Sequence, residues 1–275
     1  MNQIQWFPGH MAKTKRLLIE QLKWVDVVVE LVDARVPLSS QNPLLQELLE
    51  NKARLMLLNK ADLADPQWTE QWLQALRRKH PALAVSVATG AGMGRLIPLL
   101  EELAADKLAA LQAKGMRVRP IRVMAAGIPN IGKSSLINRL TGGGQAKTGN
   151  KPGVTRGKQW IRIHEKLELM DTPGILWPKF EDPEVGKRLA VTGAIRDEVF
   201  DIEELAAWLL VWLQTREPQL LAERQIREDG DMLEAFGRRR GCLLRGGRID
   251  TLKAAQILLK EFRQGNVGRV TLDRF

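Results

Sequence analysis

One glycine-rich segment constrains the fold of this 275-residue chain more than any other. The segment GIPNIGKS, residues 127–134, fits the pattern G-x-x-x-x-G-K-[ST], in which backbone N–H groups turn inward around phosphate oxygens. The apolar run IRVMAA precedes it, and the helical pattern KSSLINRL follows it. A strand, this loop and a helix in that order predict an α/β domain of the P-loop NTPase type, a three-layer sandwich that binds a nucleoside phosphate.

The polar residues of this loop have predicted tasks. Lys133 is expected to neutralise the β- and γ-phosphates, which also makes it a candidate catalytic residue, and Ser134 is expected to ligate Mg²⁺. The N-terminal end of the following helix favours the same anion. The predicted phosphate contacts are completed by Asn130, Ile131, Gly132 and Ser135.

Two later segments suit a nucleotide that carries a γ-phosphate. The segment DTPG follows the predicted strand KLELM, so Asp171 can hold the Mg²⁺ hydration shell and the N–H of Gly174 can approach the γ-phosphate. Thr155, in KPGVTRG, can offer its hydroxyl to the same Mg²⁺ when the γ-phosphate is present. An ordinary loop threonine is the alternative for Thr155.

A base-reading segment, NKAD at residues 59–62, precedes the phosphate loop. The Asp62 carboxylate can accept hydrogen bonds from N1–H and the exocyclic amine of guanine, whereas adenine would leave it partly unpaired. Lys60 is expected to lie over the loop, and Asn59 to tie it to the phosphate loop. The small polar turn SVATG, residues 86–90, is a weaker prediction for a backbone donor to guanine O6, with Ser86 and Val87 as the expected nucleotide contacts.

The order of these segments differs from that of ordinary GTPases, in which the base-reading loop follows the phosphate loop. Domain termini often lie close together, so joining them and cutting elsewhere can preserve a fold. A circular permutation accounts for every segment at once. The chain resembles the YlqF/RbgA family of circularly permuted GTPases, the ribosome biogenesis GTPase A group, in WFPGHMAK (6–13), DAR (33–35), NKAD (59–62), GIPNIGKSS (127–135), PGVT (152–155) and DTPG (171–174).

The resemblance implies hydrolysis of GTP to GDP and phosphate, coupled to late assembly of the large ribosomal subunit. Ile175 occupies the place of the glutamine that orients water in many GTPases, and an apolar side chain cannot do so. The resemblance points to His10 as the catalytic group, beside Lys133 and Gly174; helix capping or packing on Trp6 is the alternative. It also suggests a K⁺ ion at Asn130, for which a purely conformational role is the alternative.

The apolar pattern divides the chain into two regions. Up to Asp171, strand-like runs such as VDVVVELVDAR, RLMLLN and LAVSV alternate with helical patterns. From Asp201 onward the patterns are helical only: DIEELAAWLLVWLQ, PQLLAERQI and RIDTLKAAQILLKEF. We predict a permuted GTPase domain over 1–185, with the segment 1–24 included, and a smaller all-helical domain over 186–275 that binds RNA or the ribosome.

The charge distribution indicates a polyanionic partner. The formal net charge is +10, residues 144–163 carry five basic side chains and no acidic one, and residues 234–275 carry ten basic against four acidic ones. Nucleic acid is the first candidate, and the resemblance makes it ribosomal RNA. The predicted RNA contacts are Arg238, Arg239, Arg240, Arg245 and Arg248; a helical cap with solvated arginines is the alternative.

Composition excludes several other classes. No apolar run reaches the roughly 18 residues that a membrane helix needs, and the start MNQIQWFPGHMAK lacks a signal pattern, so we expect a cytoplasmic protein without a membrane partner. The single cysteine, Cys242, excludes an internal disulfide, and we expect no disulfide-linked partner. An RNA-binding scaffold with little turnover and a small-molecule kinase remain as alternative functions.

Overall fold

A six-stranded sheet forms the centre of the first part of the chain. This computed structural model describes residues 8–116, 119–142, 160–171, 182–224, 226 and 230–275, with the backbone alone for 8–14 and 171. The strands are β1 (Val27–Asp33), β2 (Ala53–Asn59), β3 (Ala82–Ala84), β4 (Ile121–Ala126), β5 (Trp160–His164) and β6 (Leu167–Asp171). Their spatial order is β3-β2-β1-β4-β6-β5, with β5 antiparallel to β6 and all other pairs parallel. The predicted α/β class is confirmed.

The path of the chain creates a switch point between β1 and β4. From β1 the chain moves outward through β2 to β3, and it then returns to the other side of β1 to form β4. Parallel strands end at the same edge of the sheet, so the residues after β1, β2, β3 and β4 lie along one edge. Ligand crevices of open α/β sheets form at such a switch point, which places the candidate site there.

Helices cover the sheet because its central strand is apolar on both faces. Every residue of β1 is buried. The helices are α1 (Pro8–Leu22), α2 (Pro43–Leu48), α3 (Pro66–Arg77), α4 (Leu96–Ala113) and α5 (Lys133–Leu140). Leu18 of α1 and Leu45 of α2 pack in one cluster with Val28, and Trp72 of α3 packs in a second cluster with Val32. Successive residues of a strand point to opposite faces of the sheet, so both faces present apolar side chains to helices. Helix α4 contacts the three strands β1, β2 and β4.

Two predicted elements differ from the structure. The run LAVSV predicts a strand over 83–87, but β3 ends at Ala84 because the chain then turns back on itself. Ser86 N donates to Ala91 O at 3.0 Å, and Gly90 N donates to Ser86 O at 2.7 Å. The sequence pattern also predicts one long helix over 94–112; in the structure this region begins as a 3-10 turn, Met93–Arg95, before α4.

The chain divides into two compact units, Met1–Lys179 with Asp273–Phe275, and Phe180–Leu272. The predicted boundary after residue 185 falls inside a helix, Pro183–Val191, whose N-terminus is capped by Asp182. The last three residues group with the first unit, although the sequence pattern placed them in the second. Among the described residues, every helix is too short or too polar to span a membrane.

The second unit is built from five helices within its described residues. They are α6 (Pro183–Val191), α7 (Ile202–Arg216), α8 (Pro218–Glu223), α9 (Met232–Arg239) and α10 (Thr251–Arg263). Sequence patterns identified α7, α8 and α10 but not the two short helices α6 and α9. Four of the five begin at an aspartate whose side chain accepts a backbone N–H of the first turn: Asp182, Asp201, Asp231 and Asp250.

Candidate guanine-nucleotide site

The phosphate loop joins β4 to α5 and holds its lysine inside. The Lys133 side chain is buried, and its Nζ donates to Gly127 O at 3.2 Å and to Ile128 O at 2.7 Å. Ser134 and Ser135 are exposed in the first turn of α5. A cation inside the loop and free hydroxyls at a helix N-terminus are the groups that a phosphate and its Mg²⁺ require.

Asn59 joins the base-reading segment to the phosphate loop, as predicted. It is the last residue of β2, and its Nδ2 donates to Ile131 O at 2.9 Å while its Oδ1 accepts from Val87 N at 3.0 Å. Gly132 makes this approach possible: its φ is +107°, and a Cβ there would lie 2.4 Å from Asn59 Nδ2. One side chain thus connects three loops.

Lys60 lies over the phosphate loop. It adopts a φ of +61°, which is unusual for a non-glycine residue. Its Nζ donates to Asn130 O at 3.2 Å and forms an ion pair with Asp33 Oδ2 at 3.0 Å. The backbone conformation therefore directs the Lys60 side chain across to the loop after β4, and Asp33 holds its charged end.

Asp33, at the end of β1, is a site residue for which the sequence indicated no role beyond the DAR resemblance. Arg35 donates to it from Nε at 2.9 Å and from a terminal nitrogen at 2.7 Å, and the Arg35 backbone N–H adds a third bond at 3.0 Å. Burial alone would raise the pKa of Asp33, but Arg35 and Lys60 outweigh it and hold that pKa well below its ordinary value. Asp33 is therefore a permanent anion beside Lys60.

Asp62 carries an acceptor that no described residue uses. Its Oδ1 is buried, and no donor in the described part of the chain lies within hydrogen-bonding distance. A buried oxygen that accepts no hydrogen bond lowers the stability of the protein unless a ligand donates to it. The guanine N1–H and exocyclic amine supply the donors that a carboxylate would need here.

The loop after β3 presents one backbone N–H. Three of its neighbours are used internally: Val87 N by Asn59, Thr89 N by Ser86 Oγ at 3.1 Å and Gly90 N by Ser86 O. In the part of the chain that the structure describes, the Ala88 N–H makes no hydrogen bond. The Val87 N–H is used by Asn59, so it is not available to the base in this structure, and the assignment of Ser86 and Val87 to the nucleotide stays a prediction. Ala88 is the residue able to donate.

Other predicted residues lie wholly or partly outside the described residues. Thr155 and Gly174 are outside them, His10 is described only as a backbone position in α1, and Asp171 only as the last position of β6. Since β6 is parallel to β4 and pairs with it, Asp171 ends at the same sheet edge as the phosphate loop. The roles of these four residues stay predictions.

The five predicted RNA-contacting arginines are all exposed in the second unit. Arg238 and Arg239 end α9, and Arg245 and Arg248 lie in the hairpin closed by the Leu243–Ile249 bridge. Arg240 also has a structural task, because it pairs with Glu261 at 2.6 Å and lies over the Phe236 ring at 5.5 Å. Arg238, Arg245 and Arg248 therefore carry more of the prediction.

A phosphate loop and a guanine-type base loop that meet at the switch point of a parallel sheet define a P-loop GTPase with permuted segments. Residues 122–237 match a family described as 50S ribosome-binding GTPase. Ribosome biogenesis GTPase A of Bacillus cereus is 47% identical over 98% of this chain and 93% of its own length, and that of Priestia megaterium is 48% identical. The chain belongs to the ribosome biogenesis GTPase A family, and its reaction is GTP hydrolysis.

A solved structure agrees with this assignment. The chain is similar to YlqF from Thermotoga maritima in its GNP-bound form, with a TM-score of 0.65, 27% identity, and coverage of 95% of this chain and 98% of the other. The predicted permuted arrangement, with the base loop before the phosphate loop, is therefore a property of the fold and not a coincidence of short motifs.

Proposed function

We propose that this GTPase binds the precursor of the large ribosomal subunit through ribosomal RNA and promotes its late maturation. The observation that carries the proposal is the exposed run from Arg238 to Arg248, which holds five arginines and no acidic residue, on a chain with a GTP site. Exposed arginines contact phosphates strongly and bidentately. The matching family is described as a 50S ribosome-binding GTPase, and the relatives as ribosome biogenesis GTPases, which supports the same partner.

Within the nucleotide site, the proposal assigns each residue a task. Asp62 pairs with the guanine edge, the N–H of Ala88 donates to O6, and Lys133 neutralises the β- and γ-phosphates. Ser134, Thr155 and Asp171 would hold Mg²⁺. This ion would supply charge neutralisation at the phosphates.

Two further assignments concern the hydrolytic step. His10 orients the attacking water, because Ile175 cannot, and the N–H of Gly174 contacts the γ-phosphate. His10→Ala is expected to lower kcat about 100-fold while GDP affinity stays unchanged. A side-chain ligand for K⁺ at Asn130 predicts faster hydrolysis in potassium than in sodium at equal ionic strength.

The first test measures GTP hydrolysis with and without purified large subunits, in potassium and in sodium. We expect acceleration by the subunits and faster hydrolysis in potassium than in sodium. If single-turnover hydrolysis with bound subunits proved no faster than without them, the alternative of an RNA-binding scaffold with little turnover would replace the proposal.

The second test examines the arginine surface. The double variant Arg245→Ala/Arg248→Ala is compared with Arg78→Ala/Lys79→Ala, which removes two exposed charges from the turn after α3 in the first unit. Each phosphate contact contributes roughly 0.7 to 0.9 to the slope of log K against log salt. The first variant should therefore lower the magnitude of that slope for subunit binding by about 1.5, whereas the control should leave it unchanged. Equal slopes for both variants would contradict an RNA contact at this surface.

A further inference from the structure

Arg139, in the helix that follows the phosphate loop, contacts the loop after β3, which carries Val87 and Ala88. It lies in the last turn of α5, and its Nε donates to Val87 O while its terminal Nη2 donates to Ala88 O at 2.6 Å. Two successive carbonyl groups of one loop are therefore held by one guanidinium group. The helix that begins at Lys133 thus reaches both the phosphate side and the base side of the site.

The loop is shaped to receive this side chain. Gly90 has a φ of +92°, and a Cβ there would lie 2.6 Å from Arg139 Nη1 and 3.3 Å from Cζ. Any larger residue at position 90 would displace the guanidinium group and would also strain the backbone. The glycine and the arginine are therefore complementary.

The geometry of the peptide unit explains what this contact does. A trans peptide is planar, so its C=O and the following N–H point in opposite directions. Because Arg139 holds the carbonyl of Val87, it also fixes the direction of the Ala88 N–H, which belongs to the same peptide unit. That N–H is the one in the loop that no described residue uses.

We propose that Arg139 is a positioning residue for guanine recognition, which aims the Ala88 N–H at O6 of the base. The proposal rests on the assignment of this loop to the base. Arg139 itself does not touch the nucleotide, and its effect passes through one hydrogen bond. Losing it should therefore weaken binding only of bases that carry an O6 acceptor.

The test compares two ligands on the full-length protein: GDP, and the diphosphate of 2-aminopurine riboside, which keeps the exocyclic amine but lacks O6 and the N1 proton. Because the analogue also loses an Asp62 contact, the quantity compared is the change that a variant causes in the affinity for each ligand. Arg139→Ala should weaken GDP binding about tenfold, the value of one well-placed hydrogen bond, and should leave the affinity for the analogue unchanged. Arg139→Lys, which keeps the charge and can hold one carbonyl, should give a smaller GDP defect. Arg78→Ala, at the exposed position that follows α3, is the control and should alter neither affinity.

Two other results would contradict either the role of Arg139 or the role of Ala88. If Arg139→Ala weakened both ligands equally, or neither, the positioning role would be overturned and the arginine would be only a packing residue. If the unmodified protein bound the analogue as tightly as GDP, the loop would not read O6 at all. That result would overturn the proposed task of Ala88 and this inference with it, and it is visible before any variant is made.

Discussion

Asn59 Nδ2 lies 2.9 Å from the carbonyl oxygen of Ile131, a residue 72 positions later in the chain. This hydrogen bond joins the base side of the site to its phosphate side. In a permuted chain the two loops are distant in sequence, and their relative position depends on contacts of this kind. Disturbing this hydrogen bond should therefore weaken the binding of both the base and the phosphates, and not of one of them alone.

Gly132→Ala tests this contact. The new Cβ would lie 2.4 Å from Asn59 Nδ2, so the amide must move and lose its bond to Ile131. We expect GDP affinity to fall at least about 10-fold, from one lost buried hydrogen bond and its unsatisfied donor. Gly142→Ala is the matched control, because Gly142 also has a positive φ but no described atom within 4 Å of a Cβ. Isothermal titration calorimetry measures the GDP affinity of both variants. If the two substitutions lowered this affinity equally, backbone strain and not the Asn59 contact would explain the loss.

Asp33→Asn tests the anion that holds Lys60. The substitution removes the Asp33 charge from beside Arg35, which is fully buried, and from beside Lys60, which is partly buried. Breaking a buried pair on one side typically costs about 3 to 5 kcal/mol, so the free energy of unfolding in urea should fall by this order. GDP affinity should fall as well, because Lys60 loses the group that directs it over the phosphate loop. A variant that bound GDP normally would show that Asp33 serves stability alone.

Asp26 predicts a pH dependence of stability at the opposite edge of the sheet. Burial would raise its pKa, but hydrogen bonds from Arg119, Lys107 and the Arg122 N–H lower the pKa from 3.8 to about 2. A group whose pKa is lower in the folded state stabilises the protein above its unfolded pKa and loses this effect as pH falls through the folded one. Asp26→Asn should therefore cost about 2 kcal/mol at neutral pH, and the gap to the unmodified protein should close between about pH 4 and pH 2. Urea unfolding at several pH values measures the difference in free energy of unfolding between the two proteins. A difference that does not change with pH would contradict the ion pairs of Asp26 as its cause.

Asp273 is expected to stabilise the protein through hydrogen bonds with residues that are distant from it in sequence. Its Oδ2 accepts from Leu38 N at 2.8 Å and Ser39 N at 2.7 Å, and its Oδ1 accepts from Ser39 Oγ at 2.7 Å. Asp273→Ala would leave buried donors unpaired and should lower the free energy of unfolding by about 2 to 4 kcal/mol. Asp273→Asn keeps an acceptor for the two N–H groups and should cost less. Asp106→Ala, at an exposed position of α4, is the control; equal losses for Asp273→Ala and Asp273→Asn would mean that the carboxylate charge and not the bonding pattern matters.

The sequence predicted those parts of the molecule that local patterns encode. The valine-rich run of β1, the apolar β2 and the proline-led α3 were expected, and the structure confirms them because each forms from neighbouring residues. The contact of Asn59 with the phosphate loop was also expected, since the motif implies its task.

What could not be predicted depends on contacts between distant residues. Nothing in the sequence near Asp273 indicates that it caps backbone groups of Leu38 and Ser39, because the partners are more than 200 positions away. The same holds for Arg139, whose helical position alone does not say which loop it meets. The sequence could not single out Ala88 within the turn at 86–90 either, because the use of the Val87 N–H by Asn59 is visible only in three dimensions.

The most direct test of the account is the base preference of Asp62→Asn. Asp62 Oδ1 is buried and unused by any described residue, so the account requires the guanine edge as its partner. An asparagine can donate to the C2 oxygen of xanthine but cannot accept both guanine donors. Affinity for GDP should therefore fall by about 1,000-fold or more while affinity for xanthosine diphosphate rises. If the variant bound GDP as tightly as the unmodified protein, Asp62 would not face the base, and one guanine nucleotide could not span this site.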